Sequence, residues 1–413
     1  MKSAQLTRRF VAETWGGMET AVLETSRRLV AKGHPTEILC SKALATRDRD
    51  VIGGIRVSRF PYFYPYLGLD ARAKHRLDLK GGNLFSFRLM QALARRTPMD
   101  LLHLHTGKRM GAIGRYVAKK RNIPYIVSLH GGVYDVPAEE ARSWTAPTAR
   151  SFEWGKALGW WVGSRRVLED ADAILCVGGV EAREVAHRLP KKRVVHLPNG
   201  VDADRFASGI GMRFRSRYGI ASNRHVLLTV GRIDPQKNQL LAVEALEALL
   251  NQDRRWHLVL IGHVTDPAYG ERLAETIRRK GLEEHVTLIE GLDAASSDLQ
   301  DAYAAADVFL LPSMHEPFGI VILEAWAAGL PVVASRTGGV ASFVREGVDG
   351  LMFTPGAVAE CIRLLSALHD SRAMKEVIGR NGYVKAHTHY DWDVITDRLL
   401  KLYGEVIDAH PVH

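Results

Sequence analysis

Residues 304–340 read AAADVFLLPSMHEPFGIVILEAWAAGLPVVASRTGGV, and their order decides the fold. The apolar run at 308–311, closed by Pro312 and Ser313, predicts a short strand. A helix is predicted next, with Pro317 at its first position, where the missing N–H would be unpaired anyway. Gly329 and Pro331 stop that helix. Residues 331–334 open a second strand that runs into a glycine-rich turn at Gly338-Gly339. The helix is apolar on every side except at Glu324, so it belongs in the interior. Burying even a neutral polar group unpartnered costs on the order of ~2–7 kcal/mol. Glu324 therefore requires a cation or a ligand's hydroxyls.

Glu316 lies just before the helix, with seven residues between it and Glu324. The predicted helix start at Phe318, Gly319 and Ile320 offers free backbone N–H groups and a positive dipole end, a natural phosphate cradle. An anion cradle beside two carboxylates suits a ligand with both phosphate and sugar hydroxyls. The plainer reading is a core helix whose Glu324 pairs with a buried arginine.

The motif HEPFGIVILE, followed by AAGLPVVAS and TGG, resembles the donor-site signature of retaining GT-B glycosyltransferases, most closely family 4. The resemblance covers nearly the whole chain and is strongest over 225–350. It implies an α/β fold of two doubly wound, Rossmann-like parallel-sheet domains facing across a cleft. Residues 1–200 would form the acceptor-side domain and 201–389 the nucleotide-sugar domain, with a terminal helix in 390–413 packing back on the first.

Further residues take roles from this resemblance. Glu316 would serve the donor sugar's hydroxyls and Glu324 the ribose. Arg232 and Lys237, in GRIDPQKN after the apolar run 225–230, would hold the leaving diphosphate. Gly16-Gly17 would bound a loop beside that phosphate, His130 in HGG would serve the sugar, and Gly338-Gly339 would lie near the phosphates. No metal site and no cofactor beyond the nucleotide-sugar donor is expected. Two cations at a strand end would meet the charge that a divalent ion otherwise meets.

With 413 residues the chain has room for two domains, and its composition is that of an ordinary globular protein. No apolar leader or 18-residue apolar run is visible, so a cytoplasmic location is expected. Cys40, Cys176 and Cys361 fit no metal or redox spacing and read as buried thiols. The net charge of +10 is uneven: residues 1–200 hold 34 Lys+Arg and 18 Asp+Glu, and the remainder 22 and 28. The first half therefore carries +16 and the second −6. Such a basic half suits an anionic acceptor or an anionic membrane surface, and it serves solubility equally well.

Along the chain, the first strand is more polar than a central parallel strand should be, with Ser3, Gln5 and Thr7. The segment 45–54 reads as a polar loop, so Asp48 and Asp50 are not a metal-binding pair. Residues 61–69 are aromatic and proline-rich and exclude a regular central strand. Residues 72–96 form a basic, partly amphipathic stretch interrupted by Gly81-Gly82, read as a surface helix. His103 and His105 alternate on one strand without a third metal ligand in view. Residues 144–166 hold Trp144, Trp154, Trp160 and Trp161 beside Arg165 and Arg166, in the manner of an interfacial anchor. The same residues would equally pack under an acceptor site.

The expected function is transfer of a sugar, with retention, from a nucleotide-diphosphate donor to a glycan, lipid-linked or other hydroxyl acceptor. A peripheral position on the inner membrane face is a further expectation, and nucleic acid is not an expected partner. The other readings are a nucleotide-sugar epimerase and a non-catalytic nucleotide-sugar-binding protein. Sugar, acceptor, linkage and oligomeric state are not encoded in any motif.

Overall fold

Apolar strands alternating with helices build two separate, mainly parallel sheets. The computed structural model describes the chain except residues 12–14, 80, 96–97, 132–147, 149–150, 293–295 and 412–413. One unit is Met1–Pro198 with Ile395–His413, and the other is Asn199–Val394.

In the first unit the strands are β1 (Ser3–Leu6), β2 (Thr36–Ser41), β3 (Arg49–Ile52), β4 (Ile55–Phe60), β5 (Tyr66–Leu67), β6 (Leu101–Leu104), β7 (Tyr125–Leu129), β8 (Phe152–Glu153), β9 (Ala173–Cys176) and β10 (Val194–His196). Eight of them form one sheet in the order β10-β9-β7-β6-β1-β2-β4-β3, while β5 and β8 pair separately. Only β3 runs antiparallel in the large sheet, as a hairpin with β4 in which Ile52 faces Ile55. This corrects the loop expected at 45–54. The two residues between the strands, Gly53 and Gly54, both take positive φ, which a tight hairpin turn demands and which glycine supplies freely. Asp48 and Asp50 pair there with Lys42 and Arg59.

The polar β1 sits in the middle of this sheet, between β2 and β6. Its Gln5 is buried but bonded on several sides, so polarity there is compensated rather than anomalous. The terminal helix Trp392–Ala409 supplies one partner: Leu399, Leu402, Tyr403 and Val406 pack with Leu101, Ile126 and Leu175. The basic stretch 72–96 is two helices, Ala71–Leu79 and Phe87–Arg95, not one; Gly81-Gly82 lies between them.

The second unit contains β11 (His225–Val230), β12 (Trp256–Ile261), β13 (Val286–Ile289), β14 (Val308–Leu311), β15 (Val332–Ser335) and β16 (Leu351–Phe353). They are all parallel, in the order β13-β12-β11-β14-β15-β16. The helix Gln239–Leu250 packs its buried Leu241, Leu246 and Leu249 into this unit's core. Each such leucine contributes about 1.5–3 kcal/mol by leaving water. Numbered within the unit, the strand order is 3-2-1-4-5-6. The order reverses between β11 and β14, and open α/β sheets bind ligands outside the carboxyl ends of the strands at that point.

Candidate active site

The two loops that leave this reversal point carry the residues singled out by sequence. After β11 come Arg232, Asp234, Gln236 and Lys237; after β14 come Ser313, His315 and Glu316. Backbone and amide bonds tie the loops together: Met314 N–H donates to the Gln236 carbonyl at 2.8 Å, and Gln236 Nε2 to the His315 carbonyl at 3.0 Å. Lys237 Nζ forms an ion pair with Glu316 Oε2, and Ser313 Oγ donates to the same oxygen at 3.4 Å. Glu316 is 7% exposed, so its charge is held by this pairing rather than by water. Arg232 is half-exposed, with its guanidinium 3.1 Å from Gln236 Oε1 and 3.3 Å from Asp234 Oδ2. Arg232, Lys237 and Glu316 are thus gathered in one loop pair, with the Arg232 guanidinium reaching solvent and the Lys237–Glu316 pair largely buried.

Pro317 is not the first helical residue. The helix runs Ile320–Ala327, because Gly319 caps it in the left-handed region at φ 97° and ψ 58°. Only glycine takes that conformation without strain. Of the three residues expected at the helix start, Ile320 opens the helix, Gly319 precedes it, and Phe318 is buried and stacked on Phe343 at 4.8 Å. Gly338 and Gly339 do not form a loop turn; they open a short helix, Gly338–Ala341. A methyl group at Gly339 would lie 2.2 Å from the Glu316 carbonyl oxygen, so this glycine lets the helix approach the Glu316 backbone.

Within the unit Glu324 has a hydroxyl partner from the protein itself, in place of the buried arginine of the plainer reading. Tyr303 Oη donates to its Oε2 at 2.6 Å. Burial raises the Glu324 carboxyl above its ordinary range, opposed by the Tyr303 bond and by Arg205. Sequence reading missed Tyr303 because it lies in the preceding helix Ser297–Ala305, where an aromatic residue reads as core.

Gly16, Gly17 and His130 belong to the first unit. Gly16 is the exposed N-cap and Gly17 the first residue of the helix Gly17–Ala31. His130 follows β7; Gly132 of its HGG context lies outside the described residues. A chain of short bonds reaches this imidazole from the sheet interior. Thr36 Oγ1 donates to the Ser3 carbonyl at 3.2 Å, so it accepts from Gln5 Nε2 at 3.3 Å. That orientation leaves Gln5 Oε1 to accept from His105 Nε2 at 2.8 Å. His105 Nδ1, in a neutral ring, then accepts from His130 Nε2 at 2.9 Å. His130 Nδ1 is consequently the unprotonated nitrogen; it is buried and has no hydrogen-bond partner among the described residues. Burial pushes the His130 imidazole down to about 4, so the neutral form holds at neutral pH. His103 is bonded to Tyr403 and Ser128 at 2.7 Å each, so the two strand histidines face separate partners rather than a metal.

At the strand ends of this unit lies a cavity of about 380 Å³, lined by Arg8, Asn83, His105, Thr106, Lys108 and Gly131 among others. Arg8 also donates to the Leu77 and Asp78 carbonyls at 2.9 and 3.0 Å. Elsewhere on the unit, Trp160 is 86% exposed, with Trp161, Trp154 and Phe152 also exposed beside Arg165 and Arg166. Trp144 lies outside the described residues. Among the described residues no helix is long and apolar enough to cross a membrane. All three cysteines are buried free thiols.

Two family models match the chain: "Glycosyltransferase Family 4" over residues 15–205, and "Glycosyl transferases group 1" over residues 212–385. The D-inositol 3-phosphate glycosyltransferase of Kineococcus radiotolerans is 30% identical over 418 residues, covering 95% of this chain and 91% of the relative. That of Actinosynnema mirum is 28% identical, covering 95% and 93%. Among solved structures, sucrose-phosphate synthase from Thermosynechococcus elongatus superposes with a TM-score of 0.74 at 21% identity, covering 99% of both chains. Anabaena Alr3699/HepE, solved in complex with UDP, gives 0.72 at 20% identity, covering 98% of this chain and all of that one.

Proposed function

Because the chain belongs to glycosyltransferase family 4 and is a GT-B glycosyltransferase, we propose that it transfers a sugar, with retention, from a nucleotide-diphosphate donor to a hydroxyl acceptor. The carrying observation is the loop pair at the reversal point of the second sheet, where Lys237 pairs with Glu316 and Arg232 stands on the same loop as Lys237, against Asp234 and Gln236. In this reading the diphosphate takes the place of Glu316 as the main anion near Lys237, and Arg232 swings from Gln236 onto the phosphates. Both cations stabilise charge that develops as the nucleotide leaves, so no divalent ion is required for that step. Glu316, released from Lys237, accepts from donor sugar hydroxyls. Glu324 accepts from the ribose, and the first N–H groups of the Ile320–Ala327 helix, with Gly338 and Gly339, line the phosphates. On the first unit, His130 Nδ1 is the acceptor offered to a substrate hydroxyl, and Gly16-Gly17 the open backbone offered to a phosphate.

Retention follows when the acceptor oxygen attacks from the face the nucleotide leaves, the departing phosphate oxygen taking the acceptor's proton. The donor is a UDP-sugar in this proposal, because the structural neighbour Alr3699/HepE is solved with UDP and with UDP-glucose. The sequence relatives are named for D-inositol 3-phosphate, a phosphorylated polyol. An acceptor bearing an anionic group suits the first unit's cavity, where Arg8 and Lys108 supply positive charge. The exposed tryptophans beside Arg165 and Arg166 support docking on an anionic membrane face, which would present a lipid-linked acceptor.

Thermal melts with UDP-, GDP- and ADP-sugars test the donor reading, since a ligand at 100 times its Kd adds about 2.7 kcal/mol of stability. A rise with UDP-sugars is expected. No rise with any of the three series, together with no transfer to phosphorylated or lipid-linked polyols, would end the proposal.

A further inference from the structure

Away from the loops just described, three side chains converge at the opposite, N-terminal end of the second sheet's strands. His225 is the first residue of β11, Asp253 lies in the turn before β12, and His369 is in the last turn of the helix Val358–Asp370. A six-residue strand at about 3.3 Å per residue puts this end roughly 17 Å from the start of the Arg232–Lys237 loop. His225 Nε2 and His369 Nε2 each lie 3.4 Å from the same oxygen, Asp253 Oδ2. One ligand atom from each of the three residues falls within 4.8 Å of the others.

These distances are poor for hydrogen bonds and good for something else. Around an ion with bonds of about 2.0–2.1 Å, the ligand atoms of a tetrahedron sit about 3.3–3.4 Å apart. Among the described residues the buried His225 Nε2 has no hydrogen-bond partner, although a carboxylate stands in front of it. Trp256 backs both imidazoles, with ring centres at 5.7 and 5.1 Å, and fixes their planes. The side chains are 22%, 16% and 18% exposed, which leaves an entry path from solvent. We infer that His225, Asp253 and His369 bind a zinc-class transition metal ion, with water in the fourth position, clamping the start of β11, the turn before β12 and the end of the Val358–Asp370 helix. Two imidazoles and one carboxylate select zinc, cobalt or nickel over magnesium and calcium, which prefer all-oxygen sets.

The protonation states agree. Burial and the neighbouring His369 lower the His225 imidazole below its ordinary range, keeping the lone pair available. The Arg255 guanidinium holds the Asp253 carboxyl well below the usual carboxylate range. Arg255 also competes, since its Nη2 donates to Asp253 Oδ2 at 2.7 Å, but it is 55% exposed and can retain Oδ1 through Nε at 3.0 Å.

The test uses the full chain stripped with EDTA, titrated with ZnCl2 by calorimetry and with CoCl2 by visible absorption. One ion per chain is expected, with a Kd of about 1–10 μM or tighter, intense tetrahedral cobalt bands and a melting temperature that rises with zinc. His225→Ala and the milder His369→Gln should each weaken binding at least ~10-fold and remove the cobalt bands. Circular dichroism confirms that the variants are folded. Absence of one saturable equivalent below about 100 μM zinc, or binding unchanged in both variants, overturns the site.

Discussion

Lys237 and Glu316 are each nearly buried and each is the other's counter-ion. Removing one partner from such a pair leaves a desolvated charge, which costs about 3–5 kcal/mol when the pair is fully buried. Lys237→Ala should therefore affect two quantities. In the transfer assay kcat should fall 10²–10³-fold, about 2.7–4 kcal/mol of barrier, the scale of losing one charge-stabilising donor. In urea unfolding the second unit should lose stability, and adding Glu316→Gln should restore part of it, because the orphan charge is gone. Additive stability losses in the double variant would show that the two residues do not act as a pair. His130 offers a second test at this scale. The bond chain from Ser3 through Thr36, Gln5 and His105 leaves His130 Nδ1 without a proton. Nitrogen NMR of ring-labelled protein should show His130 Nδ1 as the bare nitrogen and Nε2 as the N–H nitrogen. Gln5→Leu should mix the two tautomers, whereas Ser128→Ala, which removes the hydroxyl bonded to His103, should not. A protonated Nδ1 in the unaltered protein would refute the bond chain as drawn.

Between elements, closeness of approach decides which small residues are needed. The Gly338–Ala341 helix abuts the loop holding Glu316, with Gly339 at the contact. Gly339→Ala places a carbon 2.2 Å from the Glu316 carbonyl oxygen and 2.4 Å from Pro317, both backbone. Backbone cannot swing away like a side chain, so overpacking should cost about 1–3 kcal/mol in urea unfolding and displace Glu316. A variant with unchanged stability and turnover would mean that the contact is slack. The helix Lys156–Val162 carries Trp160 and Trp161 outward. Co-sedimentation with phosphatidylserine vesicles should weaken on Trp160→Ser with Trp161→Ser and fall with salt, while neutral vesicles bind neither form. Equal binding of the double variant would remove the membrane role from this helix. Much at this scale was legible in advance. The run 308–311 and the stop at Gly329 bracket a strand and a helix that form with nearly those bounds. Proline at position 317 misled because the αL cap at Gly319 resets the helix start, and a cap's φ is set by what it packs against. The hairpin strand Arg49–Ile52 was missed because its edge position tolerates charged residues that normally signal a loop. Glu316, Arg232 and Lys237 were readable because motif and strand end coincide. Tyr303, Gln5 and Ser313 were not, because their roles depend on neighbours distant in sequence that only the fold supplies.

At the scale of the whole molecule the buried histidines set the response to acid. Burial pushes His130 and His257 down to about 4 and holds His103 and His105 well below their ordinary value, so all four are folded as neutral rings. In the unfolded chain each binds a proton near pH 6.5. Below that pH the unfolded state holds more protons than the folded one, and stability must fall as pH falls. The window opens at about 6.5 and closes near 4 for His130 and His257, with a limiting slope of about 1.4 kcal/mol per pH unit for each histidine. Three of the four share one cluster in the first unit, where His105 is bonded to His130 and its ring centre lies 4.0 Å from that of His103. A proton on His105 Nδ1 must break the bond from His130, a proton on His130 Nδ1 is buried without an acceptor, and the first ring to charge raises the cost for the next. His257 stands apart in the second unit, its ring bonded to Thr287 at 2.8 Å. The first unit should therefore unfold earlier on acidification, so that scanning calorimetry resolves two transitions at pH 5 that lie closer together at pH 7.5. His257→Gln keeps a hydrogen bond to Thr287 and removes the titration, so it should flatten the acid slope of the later transition alone. A single transition whose midpoint is flat between pH 7.5 and 5 would show that these rings are not held neutral, and would remove the basis for an unprotonated His130 Nδ1 at neutral pH.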